Sequence, residues 1–248
     1  MKYDIHMKPI LIKELNSFFS SPIGYLVVGV YLIINGFFLW YFNGDFNILQ
    51  AGFSDLNSYF FLAPWIFLFL IPAITMGSFT DENNNGTIEI LKTKPISSFG
   101  IILGKFLGSL ILVVIAIAPT LVYVFSIYKL GLPTGNLNFG STLGSFIGLL
   151  FLASSYTAIG IFASTFFKNQ IVSFISSVIL NFVIFYGFEL IFNDSFSNGL
   201  GVWFQKIGMQ YHFLSISKGL IDTRDIVYFS TLTLIFLVLT KYRIENEK

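Results

Sequence analysis

A chain of 248 residues that is 55% apolar and only 11% charged cannot cover a water-facing surface, since soluble domains carry roughly 25% charged residues. Its net charge of +1 offers no basic stripe for a nucleic acid. The absence of cysteine removes disulfides, thiol catalysis and cysteine-based metal sites, and with His6 and His212 the only histidines the chain lacks the ligands of a transition-metal centre.

The leading segment 1–21 holds a candidate amphipathic helix, Pro9–Phe19, in which Leu11, Leu15 and Phe18 form one stripe joined by Ile12 and Phe19. Lys8, Lys13, Glu14 and Asn16 are left for the polar side, as expected of a helix lying in a membrane interface. A soluble extension of the next element is the alternative, and Ser20-Ser21-Pro22 argues against such continuity. Ser21 is placed as an N-cap and Pro22 as a first-turn proline for the apolar run that begins at Ile23.

A bilayer core ~30 Å thick needs ~20 apolar helical residues. Five windows meet that length: 23–42, 59–79, 106–127, 141–162 and 171–188; a sixth, 226–240, is shorter, with Tyr228 and Tyr242 placed to anchor its ends. All are free of Asp, Glu, Lys, Arg and His, and the alternation of a barrel strand is missing. The first window has no A-x-A-like exit and is longer than a signal core, so it reads as a retained span. Trp40 and Tyr41 mark its far end. Pro64, Pro72 and Pro119 fall inside spans two and three, where they predict kinks that serve packing or act as hinges.

The loop 80–105 is the most informative connection. Its Asn83-Asn84-Asn85-Gly86 run predicts a turn. Thr87 is placed to cap a short helix with Glu89 in its first turn and Pro95 as its stop, putting Ile88 and Leu91 on one face. Such a helix is either a docking element or a solvated connector. Glycines four apart, Gly100, Gly104 and Gly108 and then Gly140, Gly144 and Gly148, predict close helix approach, within the chain or between subunits. The aromatic segment 189–225 is too apolar for a free loop and too interrupted to span, which predicts short re-entrant or interfacial helices. The expected fold is therefore all-α and integral to the membrane, with six transmembrane helices, an N-terminal interfacial helix and short outer helices before the sixth span.

Ten of the fourteen Lys and Arg residues fall on the side that carries both termini, the 80–105 loop and the 163–170 turn. The first opposite loop, Asn43–Asn57, has two aspartates and no base. This bias predicts that the termini are cytoplasmic. No catalytic motif is visible: Gly100–Lys105 reads G-x-x-x-G-K, one residue short of a phosphate-binding loop and followed by Phe106. No charge lies deep in a span, as a proton relay would need, so the energy for active movement would come from a partner.

Four stretches carry a family resemblance. Lys13-Glu14-Leu15, Phe18 and Ser21-Pro22-Ile23-Gly24-Tyr25 form the first. Glu82-x-x-x-Gly86-Thr87-Ile88-Glu89-Ile90-Leu91-x-x-x-Pro95-Ile96-Ser97 forms the second, and Gly160-x-x-Ala163-Ser164 with Lys168-Asn169-Gln170 the third. His212-Phe213, Lys218-Gly219-Leu220-Ile221-Asp222 and Arg224–Phe229 extend the pattern towards the sixth span. Together they resemble ABC-2-type ABC transporter permeases, and most nearly the gliding-motility-associated permease subunits of Bacteroidota. Members commonly carry basic residues after the first acid of the second stretch, where this chain has Asn83 and Asn84.

The resemblance implies a non-enzymatic permease in a bacterial inner membrane. It implies no cofactor on this chain, with ATP and Mg held by a separate ATP-binding ABC subunit. The second permease half would be the same chain or an auxiliary membrane subunit, and no nucleic acid is involved. Glu82, Gly86, Thr87, Glu89, Leu91 and Pro95 would make the ATPase-coupling element, Leu11, Leu15 and Phe18 the interfacial helix, and Gly140, Gly144 and Gly148 a helix-packing row. Export of a drug, lipid or polysaccharide is the alternative within the family. An ATPase-independent channel or a membrane scaffold is the alternative outside it.

Overall fold

The computed structural model describes residues 7–87, 97–192, 205–219 and 222–246, with the side chains of residues 191 and 192 left aside. Among these residues there is helix and no strand. In chain order the helices are α1 (Met7–Ser20), α2 (Pro22–Gly36), α3 (Asn57–Thr75), α4 (Gly77–Asn85), α5 (Ser98–Ile117) and α6 (Leu121–Leu130). They continue as α7 (Phe139–Ser164), α8 (Gln170–Phe182), α9 (Phe188–Phe192), α10 (Met209–Ser217) and α11 (Thr223–Asn246).

Among the described residues six stretches of helix are long and apolar enough to cross a membrane: Pro22–Tyr41, Asn57–Asn85, Ser98–Leu130, Phe139–Ser164, Gln170–Leu190 and Thr223–Asn246. The prolines shape rather than stop them. Pro64 and Pro72 lie buried within α3, which runs on through Met76 into α4. Pro119 sits in a single 3₁₀ turn, Ala118–Thr120, between α5 and α6. Two π-helical turns, Phe37–Tyr41 and Val183–Gly187, extend α2 and α8.

The hydrophobic pattern is that of a body dissolved in lipid. Ile23, Leu26, Val30 and Ile33 leave α2 outward at helical spacing, as do Ile171, Ile175 and Ile179 from α8. Small polar groups are turned in, where each needs a partner because no water competes. Tyr31 and Tyr59 share a 2.9 Å hydrogen bond, Tyr59 reaches the Thr120 hydroxyl at 2.8 Å, and Thr120 donates to the Ile117 carbonyl at 2.6 Å. That chain ties the first three spans together. Ser155 and Thr233 pair at 3.1 Å between α7 and α11.

Helix α7 is the axle. It is 72% buried along its apolar window, against 22–33% for the first, third, fifth and sixth spans, and it packs on α3, α5, α8, α10 and α11. The contact with α10 is made by its glycines. A Cβ on Gly144 would stand 2.6 Å from the Ile216 carbonyl, and one on Gly148 would stand 3.3 Å from the Phe213 ring. The backbone at Gly140 lies against Gly219. Within the aromatic segment, α10 is thus a short helix seated on the head of α7; residues 193–204, with Phe196, Trp203 and Phe204, lie outside the described residues.

Three readings of the sequence need correction. The asparagine run is not a turn: Asn83–Asn85 complete the last turn of α4, and only Gly86 takes the left-handed conformation, φ +66°. Thr87 N–H then donates back to the Glu82 carbonyl, closing the helix as a left-handed C-cap does. The predicted third span starts too late, because α5 already begins at Ser98, whose N-cap Ser97 accepts from Gly100 N–H at 3.1 Å. Finally, Glu14 is not on a polar face. It is buried beside Ile10, while Leu11, Leu15 and Phe18 are half-buried to the side.

Candidate functional site

That inward Glu14 leads to a charge cluster where α1, α4 and α5 meet. Helix α1 lies along the head of α5 because the α5 glycines admit it: a Cβ on Gly104 would be 2.8 Å from Ile10, and one on Gly108 would be 2.8 Å from the Cβ of Glu14. Between them Lys105 points into the joint, and its side chain is only 3% exposed. The ammonium donates to Glu14 Oε1 at 3.0 Å and to the Ser78 carbonyl at 2.6 Å, and it pairs with Glu82 Oε1 at 2.9 Å. An ammonium has three donors, and all three find acceptors. The Phe79 ring lies 5.0 Å beneath it. Lys13, largely exposed, approaches the same Glu82 carboxylate at 3.7 Å.

The same turn of α4 is fastened on its other side to the α7–α8 corner. Thr80 donates to the Ser164 carbonyl at 3.1 Å, Asn83 to the Thr165 carbonyl at 3.3 Å, and Gln170 to Asp81 Oδ1 at 2.5 Å. An apolar cluster backs the whole joint, with Ile10 from α1, Phe79 from α4, Ile102 and Phe106 from α5, Ile161 from α7 and Ile244 from α11. One end of the bundle is therefore a knot of helix ends, where the start of α1 and the end of α11 meet through Ile10 and Ile244.

The predicted coupling residues divide at this knot. Glu82 is buried in it, Gly86 caps it and Thr87 is exposed just beyond it. Glu89, Leu91 and Pro95 lie in 88–96, outside the described residues. Sequence reasoning overlooked Lys105 and Glu14 as partners. The available signal was a lysine heading an otherwise uncharged span, facing an acid on a helix with no assigned neighbour. Each carboxylate gives one oxygen to the Lys105 ammonium, and Glu82 Oε2 is buried with no hydrogen-bond partner among the described residues.

At the opposite end α10 is pinned to α11. His212 Nδ1 lies 2.7 Å from Asp225 Oδ1, and its Nε2 lies 2.8 Å from the Lys206 carbonyl. The ring stacks on Tyr228 with centroids 3.9 Å apart, and the Tyr228 hydroxyl donates to the Ile207 carbonyl at 2.5 Å. Between α3, the Val183–Gly187 turn and α10 a cavity of about 520 Å³ opens at this end, lined by Phe60, Trp65, Phe185 and Leu214 among others.

The family model described as ABC-2 family transporter protein matches residues 9–248. Among curated proteins no sequence matches.

Proposed function

From the premise that the chain belongs to the ABC-2 family of transporter proteins, we propose that it is the membrane-spanning permease subunit of an ATP-driven ABC transporter complex, with residues 81–97 as the element seated on a separate ATP-binding subunit. The observation that carries this is the Lys105 knot. It fastens the α4 tip, which leads into that segment, to α1 and to the heads of the third and fifth spans. A displacement of the α4 tip is then shared by α1, α5 and the α7–α8 corner, because pulling Glu82 away from Lys105 would strand buried charge. Transmission of this kind requires the ATPase to contact the segment differently in its two nucleotide states. In this reading the chain hydrolyses nothing itself; ATP and Mg belong to the partner.

In this reading the knot, both termini and the coupling segment face the cytoplasm of a bacterial inner membrane, an orientation that the lysine and arginine bias supports, and α1 lies along the inner interface. The second half of the pathway is a copy of this chain or an auxiliary membrane subunit. Gliding motility is the setting we propose, supported by the resemblance of the 13–25, 82–97 and 212–229 stretches. Export of a drug or lipid is the second reading, and the aromatic cavity at the far end favours it.

Thr87 is exposed and the chain has no native cysteine, so Thr87→Cys gives a single-cysteine protein for crosslinking. In native membranes a short bifunctional maleimide should join it to a polypeptide carrying a Walker-A sequence, with a yield that changes under ATP and vanadate. Crosslinking only to lipid-embedded proteins, or none in membranes that support function, would contradict the assignment.

A further inference from the structure

The aromatic cavity has a direction. Asp45, Asn57 and Ser58 stand at its mouth, where the 43–56 connection meets α3, whereas Pro64 and Trp65 lie two turns along the same helix, about 10 Å further in. The deep wall is apolar: Phe60 is buried, the Trp65 ring meets Phe185 edge-on at 5.7 Å, and Phe213 and Leu214 of α10 form the far side. Its volume, about 520 Å³, is in the range of small-molecule sites, roughly 300–1,000 Å³.

Among the described residues that line the cavity, Asp45 is the one that carries a charge. The connection 43–57 holds Asp45 and Asp55 and no lysine or arginine. Asp55 is engaged by the Asn57 backbone N–H at 3.1 Å and the Asn57 side chain at 2.8 Å. Asp45, exposed at the rim, has no ion-pair or hydrogen-bond partner among the described residues. Beside it the Phe46 and Phe61 rings stack with centroids 5.8 Å apart. Gln210, also lining the cavity, keeps its Oε1 buried with no hydrogen-bond partner among the described residues. A carboxylate, aromatic faces and an unused acceptor together suit a cation. A sugar chain fits poorly, because hydroxyls sunk against Phe60, Trp65 and Phe185 would be left unpaired.

We infer that this cavity binds a cationic amphiphile, its apolar body against Trp65 and Phe185 and its ammonium-type head at Asp45. The inference rests on the transporter reading for its meaning, as the substrate class, but the binding itself does not need an ATPase.

The test uses the full-length purified chain in lipid nanodiscs without any partner. The probe is a photoactivatable alkyltrimethylammonium, with an alkylsulfonate of the same chain and photogroup as its comparison. The cationic probe should label the peptides containing Phe61–Trp65 and Gln210–Leu214, and unlabelled alkyltrimethylammonium should compete. Asp45→Asn should weaken that labelling about fivefold, as expected for one partly exposed charge contact, and Leu214→Trp, which fills the cavity, should abolish it. Both variants are to be compared at matched thermal stability. Equal labelling by both probes, an unchanged Asp45→Asn, or labelling spread along the lipid-facing residues of α2 and α8 would overturn the inference. Because no ATPase is present, failure here leaves the coupling assignment standing, and failure of the Thr87 crosslink leaves this site standing.

Discussion

Replacing Lys105 with alanine leaves Glu14 and Glu82 buried together without a counter-ion. Removing one member of a buried ion pair typically costs about 3–5 kcal/mol, so Lys105→Ala should fall in that range, read as a lowered melting temperature in detergent. Three neutral replacements made together separate charge from shape. Lys105→Met combined with Glu14→Gln and Glu82→Gln should regain most of the loss, since no charge is then left uncompensated. If the single and triple variants melt alike, the cluster's stabilisation is not electrostatic. Gly144 makes a second prediction at this scale. Its missing Cβ would lie 2.6 Å from a backbone carbonyl, so Gly144→Ala must displace α10, at about 1–3 kcal/mol for an overpacked contact. Gly140→Ala, whose Cβ would meet only the Asn138 side chain at 3.5 Å, should melt close to the wild type.

Among elements, α4 and α10 decide what the spans can do. Helix α4 is held by Thr80, Asn83 and Asp81 to the α7–α8 corner, and by Glu82 to α5. Thr80→Val with Asn83→Leu should therefore loosen the α4 tip while leaving the rest of the bundle folded. Faster hydrogen exchange confined to residues 77–87 would show this, and uniform exchange across α3 and α7 would contradict it. The spans themselves were legible because runs of some twenty uncharged residues admit few other structures. The joints were not. Amphipathic periodicity in α1 put Glu14 among polar residues, since a helical wheel does not reveal that Lys105, ninety-one positions further on, will neutralise it. The asparagines misled in a similar way: turn propensity is a local preference, and hydrogen bonds from α4 to the Ser164 and Thr165 carbonyls override it. The glycine rows were readable as close contacts, but which helix they admit depends on the tertiary arrangement.

At the scale of the molecule, the chain is a bundle around α7 with two specialised ends. One is the ionic knot that leads into the proposed coupling segment; the other is the pinned α10 with its aromatic cavity. Their sidedness is testable because the native chain has no cysteine. Phe53→Cys, highly exposed on the 43–56 connection, should react in intact cells with a membrane-impermeant maleimide, whereas Thr87→Cys should react only after permeabilisation; the reverse pattern would invert the topology. The central claim is that residues 81–97 seat an ATP-binding subunit. The measurement that tests it most directly is copurification in mild detergent of tagged wild type beside Glu89→Ala/Leu91→Ala, which spares Glu82 and the knot. The account predicts that an ATP-binding subunit accompanies the wild type and is lost from the equally stable variant. An ATP-binding subunit retained by both, or absent from both in membranes where the protein functions, would contradict it.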